Sequence, residues 1–320
     1  MKLIFSIIIF IFILIFKLHA NVSILEQYFI YSYELNELYR IDFQHNEKLY
    51  VNFVKNNKEI RHLEYASIVV SENIILASIG GFDRRVKLET EFFLGKFDIN
   101  GNFIESYQYI QHLLKISPSG KYFLYTNYYD LYLKTLDDKL NILIDSTECY
   151  YRAQFLKNDT AVIYQNNNFD VIKYDILNNI KIKIISCNEL LRFSDSKQDG
   201  TSILCTNGYE IFELNFNEKK LNKIVEFEPY IFQEKNTILA GNIVWVEEGK
   251  SFLFTRDNTL NYLWRPFMPI TWKPDLFFFD IPSKKVEFVR ADTGGSRIFL
   301  VPKSVEAKAT QNAINETSLP

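Results

Sequence analysis

The chain has 320 residues, of which 48% are hydrophobic and 16% aromatic, and its formal net charge is −3. A chain of this length forms one large domain or two small ones and buries roughly three-quarters of its unfolded surface. Abundant aromatic and β-branched residues favour strands over helices. The mildly negative charge, without a long basic run, argues against nucleic acid as a partner.

The first twenty residues have the composition of a targeting segment. Lys2 supplies a positive start, residues 3–16 are apolar apart from Ser6, and Ala20 ends a tolerable cleavage site. The apolar stretch is short for a bilayer span of about 20 residues. We predict a signal peptide over 1–20, with an uncleaved membrane anchor as the alternative. In either case the protein is exported, periplasmic or secreted, and it contacts a membrane only if this segment is retained.

A hairpin motif recurs along the chain. In each copy a Gly starts an apolar strand that ends in a small hydroxyl residue, as in Gly120 to Thr126, Gly200 to Thr206 and Gly249 to Thr255. Gly followed by such a strand is typical of a tight turn between two antiparallel strands. A chain that repeats a hairpin in this way has a repeat fold.

A second motif follows each hairpin, and it consists of an acidic residue, a short apolar run and a closing Asp, Asn or Thr. Its copies begin at Glu37, Asp130, Asp170, Glu210 and Asp275, with a weaker copy at Phe93. The closing polar residues stand at positions 42, 98, 135, 175, 215 and 280, so successive copies lie 56, 37, 40, 40 and 65 residues apart. Six copies at a spacing of about forty residues match the four-stranded blades of a β-propeller.

Blade three can be read completely, as strands over 111–117, 121–126, 131–136 and 140–144. Blade one lacks an inner strand, because the targeting segment ends just before its second strand, whereas Arg297 to Val301 is a strand without a blade. We predict that this C-terminal strand completes blade one and closes the ring, which removes its open edges.

The predicted fold class is therefore all-β, a six-bladed β-propeller of four-stranded antiparallel blades in a single domain over 21–303. Residues 304–320 are small and polar without periodicity, and we predict a disordered tail there.

The run P-S-G-K, Y-F-L-Y-T and D-L-Y-L-K-T-L between Pro118 and Leu136 resembles the WD40-like (PD40-type) repeats of TolB-like β-propellers. The resemblance covers about residues 24 to 302. Families with such blades include periplasmic TolB proteins, the propellers of prolyl-oligopeptidase-type peptidases and many exported binding proteins. The resemblance therefore implies a blade fold and says little about function. TolB propellers follow a separate α/β domain, whereas the first blade here follows the targeting segment directly, so a Tol–Pal role is not expected.

Catalytic motifs are absent from the sequence: it contains no G-x-S-x-G, H-E-x-x-H, P-loop or Cys-x-x-Cys. His45, His62 and His112 stand apart from one another, so we expect neither a metal site nor a cofactor. The acids that begin the second motif recur regularly, which indicates a structural role, in capping or pairing beside the turn. Lactonase-type enzymes with six blades use acids and amides around a metal in the central channel, and that alternative stays open.

Three cysteines are present. Cys149 and Cys187 occupy similar places in successive repeats, so a disulfide between them is one interpretation and three unpaired thiols are the other. Cys205 lies inside an apolar strand, and we expect it to be an inert core thiol.

Two long connections between second and third strands, over 79–91 and 256–274, break the repeat in blades two and six. In a propeller such connections share one face, and both blades adjoin blade one. Aromatic and arginine side chains, typical of recognition surfaces, are concentrated there: Phe82, Arg84, Arg85, Arg256, Tyr262, Trp264, Arg265, Phe267 and Trp272. The structural alternative is that these loops pack their aromatics onto the propeller.

The sequence favours an exported, non-catalytic propeller that binds a protein or peptide on the face of blades six, one and two. The alternative is a propeller enzyme or small-molecule binder of the lactonase type that uses the central channel.

Overall fold

The computed structural model describes the backbone over residues 28–34, 37–41, 47–52, 69–71, 74–80, 92–98, 102–109, 112–127, 130–146, 153–227, 240–256, 275–290 and 297–302. Side chains are described over residues 95–98, 102–105, 115–126, 130–146, 153–227, 243–255 and 276–289. Among these residues, no helix has the length and apolarity needed to cross a membrane. The predicted targeting segment and tail lie outside these ranges, so both stay predictions.

The described strands form six four-stranded antiparallel sheets, which we call blades one to six in chain order. Blade one contains β1 (Tyr28–Glu34), β2 (Glu37–Ile41), β3 (Glu47–Asn52) and β24 (Arg297–Pro302), and blade two contains β4 (Val69–Ser71), β5 (Ile74–Gly80), β6 (Phe92–Asp98) and β7 (Phe103–Tyr109). Blade three contains β8 (His112–Ile116), β9 (Tyr122–Asn127), β10 (Asp130–Thr135) and β11 (Asn141–Ser146).

The other three blades follow the same order. Blade four contains β12 (Gln154–Phe155), β13 (Ala161–Gln165), β14 (Asp170–Asp175) and β15 (Ile180–Ser186). Blade five contains β16 (Arg192–Ser196), β17 (Ser202–Thr206), β18 (Glu210–Asn215) and β19 (Lys220–Glu226). Blade six contains β20 (Ala240–Glu247), β21 (Ser251–Arg256), β22 (Asp275–Asp280) and β23 (Lys285–Arg290).

The C-terminal strand belongs to the first blade, as the sequence predicts. β24 pairs antiparallel with β1, with Val301 opposite Phe29 and Phe299 opposite Tyr31. Among the inner strands, β20 contacts both β16 and β24, and β12 contacts β8. These contacts place blade six between blades five and one.

The turns between first and second strands explain the recurring glycine. Gly120, Gly200 and Gly249 have φ angles of 73°, 70° and 75°, in the left-handed region that Gly adopts without a steric penalty. Blade four has Asp159 at this place with φ 56°, and Asp tolerates this conformation better than most residues. Its hairpin therefore forms without the glycine by which the sequence motif was recognised.

The hydrophobic core consists of clusters that lie between neighbouring blades. One cluster joins blades three and four, another joins blades four and five, and a third joins blades five and six. Cys205 is fully buried in the second of these clusters, where burial raises the pKa of its thiol. It is thus a core thiol, as predicted. Each blade depends on its neighbours for burial of its apolar faces, which is the packing of a repeat fold.

Candidate functional site

The two insertions connect the second and third strands of their blades, as predicted. The first runs from β5 to β6 and the second from β21 to β22. Gly80 pairs with Phe92, and Arg256 pairs with Asp275, so each insertion leaves and returns at adjacent residues. We call the end of each sheet that carries these connections the upper face. The opposite end, with the turns between first and second strands, is the lower face.

Only one of the predicted partner-binding residues falls within the described chain. Arg256 is the last residue of β21, where its backbone pairs with both Ala240 and Asp275. The other eight lie outside the described residues: Phe82, Arg84, Arg85, Tyr262, Trp264, Arg265, Phe267 and Trp272. Their role stays a prediction.

The acids that begin the third strands pair with the fourth strands at the upper face. The hydroxyl of Ser146 donates to Asp130 Oδ1 over 2.7 Å, and Ser186 makes the same contact with Asp170. Lys183 lies 2.8 Å from Asp170 and, together with the Ser186 hydroxyl, lowers the pKa of that carboxyl. These contacts are the structural pairing that the regular recurrence of the acids predicts.

Gln165 organises the upper face where blade four meets blade five. Its side chain is fully buried at the end of β13. Nε2 donates to the backbone carbonyls of Phe169 and Glu189 over 3.0 and 2.9 Å, and Oε1 accepts the N–H of Leu191 at 2.8 Å. One amide therefore fixes both the turn before β14 and the connection that leads into blade five.

Phe169 has an unusual backbone conformation in that turn. Its φ angle is 59°, in the left-handed region, which is rare for a bulky side chain. The conformation is held because the Phe169 N–H donates to Asn166 O, while its carbonyl accepts from Gln165 and from the N–H of Cys187. The ring is only partly buried. Blade five has Tyr209 at the matching place, since Tyr209 O accepts the N–H of Phe227 as Phe169 O accepts that of Cys187.

Glu189 lies next to the turn before β14 and the turn before β18. Asn207 Nδ2 is 3.0 Å from each of its carboxylate oxygens and 3.0 Å from Glu210 Oε2. Asn207 Oδ1 in turn accepts the N–H of Tyr209. The side chain of Glu189 is exposed. Burial, then the carboxylates of Glu189 and Asp170, raise the pKa of the half-buried Cys187 thiol.

Cys187 carries a free thiol in the structure. Cys149 lies outside the described residues, so the Cys149–Cys187 disulfide stays a prediction.

The lower face is a continuous line of contacts between turns. Ser119 N–H donates to Asp159 Oδ2, Lys157 N–H to Ser196 Oγ, and Gln198 N–H to Glu248 Oε1, over 3.1, 2.7 and 2.7 Å. Each bond joins one blade to the next. Together they link blades three, four, five and six, which indicates a structural role for this end of the propeller.

Charged groups reinforce the lower face. Lys157 Nζ lies 2.8 Å from Asp195 Oδ2, and Lys197 Nζ lies 2.6 Å from Glu213 Oε1. Burial raises the pKa of Asp195, against the opposing effects of Lys157 and of the Trp245 N–H. Because Lys157 and Asp195 pair across a blade boundary, they stabilise the packing of neighbouring blades. In the part of the chain with described side chains, no three His, Cys, Asp or Glu residues lie together as a metal site would require.

No protein-family model and no curated protein sequence matches the chain. Solved structures do. TolB from Acinetobacter baumannii aligns with a TM-score of 0.54 at 10% identity, over 86% of this chain and 65% of the TolB chain. A putative TolB from Agrobacterium tumefaciens aligns with a TM-score of 0.52 at 11% identity, over 86% and 96%. The fold is a TolB-type β-propeller.

A third propeller with this fold is an enzyme. Oligogalacturonate lyase from Vibrio parahaemolyticus aligns with a TM-score of 0.51 at 15% identity, over 72% of this chain and 71% of the lyase. At these identities the likeness concerns the fold of the propeller and leaves its ligand open.

Five further residues of the upper face belong to none of the sequence motifs: Gln165, Phe169, Glu189, Asn207 and Tyr209. One signal was present, because an aromatic residue directly precedes the leading acid in blades three, four and five, at Tyr129, Phe169 and Tyr209. A recurring aromatic beside a turn is a reason to examine that face of a propeller for binding.

Proposed function

We propose that this chain is an exported TolB-type propeller that binds a protein or peptide partner through its upper face, without catalysis. The proposal is carried by one observation. Both insertions connect the second and third strands of their blades, and each leaves and returns at two residues that are paired in the sheet. They are therefore additions to a complete blade. Extra loop length on a rigid scaffold is where propellers and other repeat folds place recognition.

The composition of the insertions supports this role. They contain aromatic and arginine residues, the types enriched at the energetic centres of interfaces. Pro266, Pro269 and Pro274 restrict the second insertion, which lowers the conformational entropy lost on binding. The described part of the upper face adds partly buried aromatic rings at Phe169 and Tyr209.

Export is proposed from the sequence of residues 1–20. A positive start, an apolar stretch and a small residue at the end are typical of a cleaved signal peptide. N-terminal sequencing of the mature protein should begin at Asn21. A mature chain that begins at Met1 and fractionates with membranes would support the anchor instead.

The binding role is tested by changing Trp264, Arg265 and Trp272 together to Ala. A tagged full-length chain should capture a specific partner from its native host, and the triple variant should lose that partner with its thermal midpoint nearly unchanged. The control variant changes Leu177, Phe103 and Lys181 to Ala, which are exposed away from the upper face, and it should retain capture. Capture by a folded triple variant at the level of the wild type would refute the proposal.

The second candidate is an enzyme or small-molecule binder that uses the central channel. It is favoured by the fold shared with oligogalacturonate lyase. Elemental analysis of the purified protein separates the two, since stoichiometric calcium or zinc would favour a channel site. A metal-free protein that captures its partner would favour the binding module.

A further inference from the structure

The junction of blades four and five brings an aromatic residue and an acidic residue together on the upper face. Gln165 Nε2 bonds at once to the carbonyl of Phe169, in the turn before β14, and to that of Glu189, in the connection to β16. Because one nitrogen holds both carbonyls within 3.0 Å, the two residues are fixed neighbours. The backbone of Phe169 in blade four is thus held next to that of Glu189, whose exposed side chain lies in the connection to blade five.

Asn207 of blade five links this carboxylate to the backbone of a second aromatic residue of the upper face. Asn207 Nδ2 contacts both oxygens of Glu189 at 3.0 Å, and Asn207 Oδ1 accepts the N–H of Tyr209 over 3.0 Å. Phe169, Glu189, Asn207 and Tyr209 therefore form a continuous set across the blade junction. We call it the junction site.

The backbone conformation of Phe169 is unfavourable for its side chain. A left-handed φ is unfavourable for a bulky side chain, and Gly or Asn would adopt it more easily. The ring is partly exposed, and none of the three hydrophobic clusters found among the described residues includes it. A strained aromatic that contributes to none of these clusters points to binding.

The carboxylate of Glu189 lacks a positive counterpart within the described side chains. Asp170 pairs with Lys183 and Glu210 with Lys223 on the same face. Glu189 has no Lys, Arg or His nitrogen within 4.0 Å among the described residues and accepts only the neutral amide of Asn207. Its charge is therefore available to a partner.

We propose that the junction site is a subsite for one basic side chain, an arginine in preference to a lysine, of the peptide or protein partner. A guanidinium fits this chemistry because it stacks on aromatic faces and donates two parallel hydrogen bonds to a carboxylate. The inference rests on the proposed binding function and extends it from the insertions to blades four and five. It states the charge that the partner carries at this point.

The site is tested with a defined probe on the full chain. Nα-acetyl-arginine amide is titrated by ligand-observed NMR against its neutral isostere, Nα-acetyl-citrulline amide. The arginine probe should bind at least about tenfold more tightly, because only it offers a cation to Phe169 and to Glu189. Equal binding of the two probes overturns the proposal.

Two variants locate the probe. Glu189→Gln should weaken arginine binding about tenfold, and Phe169→Asn about fivefold. The matched controls are Glu218→Gln and Phe103→Asn, both exposed away from the upper face, and they should bind as the wild type does. Because Asn accepts a left-handed φ, Phe169→Asn should keep or raise the thermal midpoint. A lowered midpoint with unchanged probe binding would assign Phe169 to packing and overturn the proposal.

This test separates the junction site from the insertions. The triple variant at Trp264, Arg265 and Trp272 should still bind the arginine probe fully. Loss of partner capture by that variant, with the probe still bound, supports both inferences. Retained capture by that variant, with capture lost in Glu189→Gln, would refute the insertion surface and uphold the junction site.

Discussion

The backbone N–H of Trp245 in blade six donates a hydrogen bond to Oδ2 of Asp195 in blade five over 2.9 Å. Lys157 of blade four contacts the same oxygen at 2.8 Å. One carboxylate oxygen thus joins three blades at the lower face. Its ionisation is coupled to the stability of the propeller.

The coupling predicts how stability depends on pH. The pKa of Asp195 is raised by burial and by Glu248, against Lys157 and the Trp245 N–H. Between the unfolded pKa of about 3.9 and the raised native pKa, the native state holds the proton that the unfolded chain has lost. The contribution of the Asp195 proton is therefore fully present below about pH 4 and is lost as pH rises through the native pKa.

The measurement compares the wild type with Asp195→Asn in urea at each pH. The difference in unfolding free energy, wild type minus variant, should fall as pH rises, by about 1.4 kcal/mol for each unit of pKa elevation. Asp199→Asn is the control of opposite sign, because the Thr201 hydroxyl and N–H lower the pKa of Asp199. Its difference should grow as pH rises through the acid range. A flat difference for Asp195 would contradict the prediction.

Two glycines in equivalent turns should respond differently to alanine. Gly200 and Gly249 both have left-handed φ angles, 70° and 75°, so each substitution carries a backbone cost of about 1–2 kcal/mol. A Cβ at Gly200 would also meet Asn158 Nδ2 at 2.4 Å, whereas at Gly249 the nearest atom is Lys197 Nζ at 3.7 Å. The Asn158 side chain is held because its Oδ1 accepts the Thr160 hydroxyl.

Gly200→Ala should therefore destabilise the protein by about 1 kcal/mol more than Gly249→Ala does, since a held side chain must move. Chemical denaturation of both variants gives the difference directly. Equal losses would show that Asn158 rotates away without cost.

The parts of the fold that could be read from the sequence are those set by local spacing. Strand alternation and the turn glycines locate every strand boundary of blade three to within two residues. The C-terminal strand was placed in blade one because a strand without a partner and a blade without a strand complete each other. The four-stranded repeat is thus encoded locally.

The junction site could not be read because it depends on packing between blades. Gln165 bonds to Glu189 and Leu191, which lie 24 and 26 residues further along the chain. Asp195 bonds to Trp245, 50 residues away. No spacing rule relates such residues, since each distance is set by how two blades pack. The insertions, by contrast, were visible as interruptions of a local period.

Gln165 should be among the least replaceable polar residues of the described chain. Gln165→Leu would leave the buried N–H of Leu191 without its acceptor and remove one donor from Phe169 O and from Glu189 O. Such losses sum to about 2–4 kcal/mol. The control is Gln198→Leu, an exposed residue, which should change stability by less than about 0.5 kcal/mol.

The same substitution should loosen the junction site, because both carbonyls that position Phe169 and Glu189 lose their shared donor. Urea denaturation gives the stability of Gln165→Leu, and hydrogen exchange of the Leu191 amide reports the local opening. An unchanged exchange rate at Leu191 would contradict the role assigned to Gln165.

The cysteines should differ in reactivity in the folded protein. Cys205 is fully buried, and burial raises the pKa of its thiol, so little thiolate forms and reagents cannot reach it. Cys187 is half-buried, and its pKa is raised by burial and then by the Glu189 and Asp170 carboxylates. Iodoacetamide at mildly alkaline pH should modify Cys187 slowly and leave Cys205 unmodified until the protein unfolds.

Glu189→Gln should speed the alkylation of Cys187, because one of the carboxylates that disfavour the thiolate is removed. Peptide mapping of native and denatured samples, with and without reduction, gives each rate. A Cys187 that reacts only after reduction, and whose peptide is linked to that of Cys149, would favour the disulfide over three unpaired thiols. Alkylation of Cys205 in the folded state as fast as Cys187 would contradict its placement in the core.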